Sequence, residues 1–137
     1  MAVFNKFNQF VEDLGLGVHN LDTGALKVYL SNTAPNASTH AVKADLAEIT
    51  NQNGYTAPID VTGVWSETSG TGTLAGTDVV VTATGAVGPF RYVVLYNDTP
   101  TSPADPLIGW WDYGSSISLA SGDTFTVDFS TSILTIT

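Results

Sequence analysis

The sequence predicts an all-β protein: an antiparallel β-sandwich, jelly-roll-like or Ig-like, with a short α-helix at its N-terminus. Three observations predict it. Past residue 24, short segments alternate apolar and polar side chains, the period of a half-buried strand. Clusters of Gly, Pro, Asn, Asp and Ser separate these segments at fairly regular spacing, giving about seven to nine strands, the pattern of sandwiches and barrels. Only residues 4–14 carry helical spacing. No repeat and no long linker divides the 137 residues. One domain is therefore expected, with an N-terminal helix or arm over residues 1–17 and the sandwich over 18–137.

In the helical stretch, Phe4, Phe7, Val11 and Leu14 recur at helical spacing, with Phe10 beside them and Gly15 and Gly17 as the stop. A helix this short is not stable alone, so its apolar stripe is expected to dock on the sheet, or else on a neighbouring subunit. "ALKVYLSN" is a strand, with Leu26, Val28 and Leu30 on one face and Lys27, Tyr29 and Ser31 on the other. "TAPNASTH" is a loop, and residues 41–49 fit either a helical turn or a weak strand. Asn53-Gly54 is a turn. "IDVTGVWSET" places Ile59, Val61, Gly63 and Trp65 on one face, and residues 69–78 read as a Gly/Thr-rich hairpin. "DVVVTATG" is a strand, and "PFRYVVLYN" and "LIGWWDYG" are the most apolar pair. "SISLASGDTFTVDF" reads as a hairpin with Phe125, Val127 and Phe129 inward, and "SILTIT" is the last strand.

The adjacent tryptophans of "LIGWWDYG" cannot share a flat surface, because successive strand residues point to opposite faces. With residues 90–97 and 107–113 paired across the Pro-rich loop, one register sets Arg91 opposite Asp112, Tyr92 opposite Trp111 and Leu95 opposite Ile108. Trp111 then shares a face with Tyr92, Val94 and Tyr96, and Trp110 shares the other with Val93, Leu95 and Ile108. Both faces are apolar, so both need cover. Gly109 leaves room for an aromatic ring. Arg91, the only arginine, is expected to pair with Asp112 at the rim; a clamp on a ligand carboxylate is the sharper alternative.

Charge narrows the function. Charged residues are 12 % of the chain, against roughly 25 % in ordinary domains, and the formal net charge is −9 with four cations. Neither nucleic acid nor an anionic membrane is expected as a partner. The N-terminus lacks the signal-peptide pattern, and no apolar run is long enough for a helical membrane span. There is no cysteine. Thr, Ser, Asn and Gly stand where charges are missing, as in interface cores, which hints at assembly.

No chemistry emerges. His19 and His40 fall in expected loops without metal-ligand partners at short spacing, so surface histidines are expected, and no metal. No G-x-S-x-G elbow is present, and "SGTGTLAG" lacks the lysine and context of a phosphate loop. Nothing in the spacing of Glu48, Asp60, Glu67, Asp98, Asp105 and Asp112 selects a glycosidase pair. Asn36-Ala37-Ser38 and Asn97-Asp98-Thr99 match the glycosylation pattern without a secretion signal. The expectation is a non-enzyme with no catalytic residues and no cofactor; a small-molecule ligand is not expected.

The segments "KFNQFVEDLGLGVHNL", "LKVYLSNTAP", "VKADLAEI", "NGYTA", "GPFRYVVLYND", "PLIGWWDYG", "GDTFTVDF" and "ILT" occur in this order along nearly the whole chain. In this combination the sequence resembles a family of small β-rich structural proteins of tailed bacteriophages. "GPFRYVVLYND" and "LIGWWDYGSSISLASGDTFTVDF" are the most specific parts. The resemblance implies a virion protein assembled in the host bacterial cytoplasm, of head decoration or cement type. It would be homo-oligomeric and bridge the major capsid protein or neighbouring virion proteins. The acidic balance favours the outer head surface over the DNA side. Phe4, Phe7, Phe10, Val11, Trp110 and Arg91 are the expected partner-interface residues, the helix being peripheral to the β region in sequence. The alternative is a receptor- or carbohydrate-binding module of a tail tip or fibre, using Tyr29, Tyr55 or Trp65; a glycosidase-like enzyme ranks last.

Overall fold

A computed structural model describes residues 2–137 of the chain. It is mostly β, with antiparallel sheets and one short helix. The elements run β1 (Phe4–Lys6), α1 (Asn8–Gly15), β2 (Leu26–Ser31), a 3₁₀ turn (Lys43–Asp45), β3 (Ile59–Asp60), β4 (Gly63–Thr68) and β5 (Thr71–Gly76). They continue with β6 (Val79–Thr82), β7 (Val87–Asn97), β8 (Leu107–Leu119), β9 (Thr124–Val127) and β10 (Leu134–Ile136). The sheets are ordered β1-β8-β7-β2-β3, β10-β5-β4 and β6-β9, and none closes on itself.

The alternating segments form strands for the reason their pattern suggests. Leu26, Val28 and Leu30 of β2, Leu74 of β5, Val79 and Val81 of β6, and Phe125 and Val127 of β9 all point into one core shared by the three sheets. The opposite face of the five-stranded sheet carries a second, smaller core of Phe7, Tyr29, Leu46, Val94, Tyr96 and Leu107. Both faces of the β7–β8 pair are covered, and the chain covers them itself. Phe7 and the segment around Leu46 and Ala57 close over the second face.

Four expectations are corrected. Residues 4–14 are not one helix: residues 4–6 are the strand β1, and the helix starts at Asn8. Pairing with β8 satisfies backbone groups that would otherwise sit on an open edge. The pairing also places Phe4 opposite Trp111, with ring centroids 5.2 Å apart. The Phe4 ring fills the space that a side chain at Gly109 would need, so an aromatic ring covers that glycine. The 115–129 hairpin does not form: β9 pairs with β6, and the turn at 120–123 carries the chain from one sheet to another.

The β7–β8 register is displaced by one residue, with Tyr92 opposite Asp112, Val93 opposite Trp111 and Leu95 opposite Gly109. A bulge then brings Tyr96 opposite Leu107. The two tryptophans still lie on opposite faces, but Trp111 joins Val93, Leu95 and Ile108 in the main core, while Trp110 packs with Val94, Tyr96 and Leu107. The fourth correction is His19, which is buried.

Candidate functional site

The N-terminal segment is divided between interior and surface. Phe7 and Phe10 are 0 % and 4 % exposed, one in each core. Val11 is 54 % exposed, and Val3 and Leu16 are more so. An apolar groove of about 440 Å³ runs between this segment and the last strand, lined by Phe4, Phe10, Val11 and Leu14 on one side and Leu134 and Ile136 on the other. Lys6 is the one charged residue among its described lining residues. β1 and β10 are both outer strands of their sheets, and residues of both line the groove. Of the expected interface residues, Val11 and part of Phe4 therefore reach the surface here, whereas Phe7 and Phe10 hold the segment in place.

Trp110 and Arg91 lie elsewhere. Trp110 is half-buried against Phe7, with ring centroids 4.6 Å apart. Arg91 makes the rim pair expected of it, though with a diagonal neighbour: Nε donates to Asp112 Oδ1 at 2.8 Å and Nη2 to Oδ2 at 3.1 Å. That bidentate pair, with the backbone N–H of Gly114, holds the Asp112 carboxyl below the usual range.

A second pocket, of about 420 Å³, adjoins the groove across Leu14 and Ile136. Gly17, His19, Asn20, Leu21 and Asp22 form one wall and Trp65 another. The wall loop is fixed by its own hydrogen bonds: Asn20 Oδ1 accepts the N–H of Asp22 and of Thr23, each at 3.1 Å, and Asn20 O accepts Gly24 N–H at 2.8 Å. Trp65 donates its backbone N–H to Asp22 Oδ1 at 3.4 Å, tying β4 to the loop. The indole occupies the space above Gly72 on the neighbouring strand.

His19 of this wall belongs to a buried polar group with Asp13 and Asn97. Asn97 Oδ1 accepts Thr99 N–H at 3.1 Å, so its amide nitrogen faces His19 Nδ1 at 3.3 Å. Nδ1 is then the acceptor, and the neutral ring carries its proton on Nε2. That Nε2 and Asp13 Oδ2 are buried without a partner among the described residues. Burial holds His19 below its ordinary pKa of 6.5, the Asp13 charge opposing it. The unfolded chain therefore binds a proton at a higher pH than the folded one, and stability falls as pH drops through 6.5. The expected result is a wild-type Tm that declines below pH 6.5 more steeply than that of His19→Gln. Parallel pH–Tm curves would refute it.

The other residues singled out by sequence have structural partners. Tyr29 and Tyr55 are buried, not exposed: the Tyr29 hydroxyl donates to Leu46 O at 3.0 Å, and the Tyr55 oxygen accepts Leu30 N–H at 2.9 Å. His40 Nδ1 accepts Asn36 N–H at 3.1 Å. Lys27 pairs with Asp60 at 3.0 Å and with Asp98 at 3.6 Å, and Lys43 with Glu48 at 2.9 Å. Glu67 accepts Gly70 N–H at a β-turn. No group of three His, Cys, Asp or Glu suited to a metal occurs among the described residues, and neither groove is lined by two acids. The clustering of α1 with β10, and of Trp65 with residues 17–22, escaped the sequence reading, because it depends on which strand lies beside the helix.

No protein-family model matches the chain, and neither does any curated protein or any solved structure.

Proposed function

We propose that this chain is a non-enzymatic virion structural protein of a tailed bacteriophage, a decoration protein on the outer head surface that bridges capsid subunits. In this reading its sheets form a sandwich of jelly-roll or Ig type, and it works as a homo-oligomer. The observation that carries the proposal is the N-terminal face. Exposed Val3, Val11 and Leu16 cluster in sequence around α1, and Val11 and Ile136 line an apolar groove to which β1 and β10, the outer strands of their sheets, both contribute residues. Exposed apolar surface of this kind marks contact sites, and open edges accept a further strand. The chain's net charge of −9 suits a surface away from packaged DNA.

The mechanism is repeated burial. Covering the exposed half of Val11 contributes about 1 kcal/mol per copy, and many weak contacts held together by an oligomer sum to firm attachment. Val11→Asp places a carboxylate in that contact, where its desolvation opposes binding. The expected result is a variant with wild-type Tm that is lost from purified particles. A variant retained at wild-type copy number would overturn the assignment of this face.

A further inference from the structure

We infer that the pocket between residues 17–22 and Trp65 binds an uncharged saccharide, one sugar ring seated against the indole with its hydroxyls on Asp22 and Asn20. The inference goes beyond a structural role in a particle and does not depend on it.

Four observations carry it. The lining is part polar and part apolar, as a sugar ring is: Leu14, Leu21 and Ile136 offer C–H surface, and Asp22 and Asn20 offer polar groups. The polar groups have free capacity. Asp22 is exposed and spends Oδ1 on Trp65 N–H, which leaves Oδ2 as an acceptor. Asn20 spends its oxygen on the loop backbone and makes no hydrogen bond through Nδ2 among the described residues, so it offers a donor. A carboxylate beside an amide donor suits vicinal hydroxyls, each of which both donates and accepts. The indole N–H of Trp65 also makes no hydrogen bond among the described residues, so it offers a further donor.

The site is also built in advance. The bonds of Asn20 fix the loop, and the indole is seated over Gly72, so little ordering is left to be lost on binding. Charge excludes one alternative class. No cation lines the pocket, and the chain carries −9, so an anionic ligand is repelled. A quaternary ammonium would suit Asp22, but such ligands are held in cages of several aromatic faces, and Trp65 is the one Phe, Tyr or Trp among the described lining residues.

The test is a ¹H–¹⁵N NMR titration of the full chain with D-glucose, D-galactose, N-acetyl-D-glucosamine and L-rhamnose, and separately with choline. At least one sugar should give saturable shifts confined to residues 17–22, Trp65 with its indole N–H, Gly72 and Ile136. Asp22→Ala should weaken that sugar about tenfold or more, with at most a small fall in Tm from the lost bond to Trp65 N–H. Trp65→Phe, which keeps an aromatic ring in the core, should weaken it as well. The inference falls if no sugar saturates this pocket at concentrations on the order of 100 mM, if choline saturates it and the sugars do not, or if Asp22→Ala leaves the affinity unchanged. Failure here leaves the Val11→Asp particle experiment untouched.

Discussion

Phe7→Ala is expected to lower the unfolding free energy by about 3–5 kcal/mol, the cost of emptying a fully packed aromatic site. Phe7 is completely buried, and its neighbours in the second core are Tyr29, Leu46, Val94, Tyr96 and Leu107. Its backbone N–H donates to Ile108 O at 3.1 Å just where β1 hands over to α1. One ring thus covers the outer face of the large sheet and fixes the junction of two elements. A domain of this size holds about 5–15 kcal/mol in all, so the loss is a large fraction and is read directly from denaturant midpoints. A loss under about 1 kcal/mol would mean that the segment is not part of the core. The same packing changes what a truncation can reveal. Removing residues 1–14 takes away Phe7, Phe10 and the pairing of β1 with β8, so a failure of the truncated chain to bind any partner would report unfolding as readily as lost attachment. Val11→Asp avoids this, because Val11 makes no core.

The period-2 signal was strong wherever a strand runs without a break. Leu26, Val28 and Leu30, and again Phe125, Val127 and Phe129, lie where alternation puts them. It failed where alternation itself breaks. The bulges in β7–β8 bring Phe90 to the same face as Val93, and Ile108 to that of Trp111, three residues on in each case. An unbroken count assigns those residues to the wrong sides, and no residue type in "FRYVVLY" or "LIGWW" marks the extra position. Residues 4–6 misled for a different reason: Phe4 and Phe7 are at helical spacing, yet an unpaired edge of β8 was available, and pairing it outweighed a first helical turn. The partner of β9 was legible only in part, since a short turn usually joins neighbouring strands of one sheet, but the turn at 120–123 leads into another. His19 stands in a loop, as nearby Gly17 and adjacent Asn20 suggest, but the loop folds against Phe10 and Asn97, the latter 78 positions away.

Trp111→Ala and Trp110→Ala should differ by more than their identical side chains would suggest. Trp111 is nearly buried, opposite Val93, with the rings of Phe4 and Phe129 at 5.2 and 5.4 Å. Its loss opens the main core between the large sheet and the smaller ones, at about 3–5 kcal/mol. Trp110 is half-exposed and packs its ring on Phe7 at the edge of the second core, so its removal costs about 1–2 kcal/mol. The coupling carries the argument further than the sizes do. In a double-mutant cycle, Phe7→Ala and Trp110→Ala should show an interaction of about 0.5–1.5 kcal/mol, because their rings touch. Phe7→Ala and Trp111→Ala should add to within about 0.5 kcal/mol, because the sheet lies between them. Equal couplings, or a Trp110→Ala cost matching that of Trp111→Ala, would place both indoles in one core. Strong coupling to Phe7 from Trp110 alone assigns the cover of the outer face to the chain's own N-terminal segment, and leaves Val11 and the groove beside β10 as the apolar surface a neighbour can still bury.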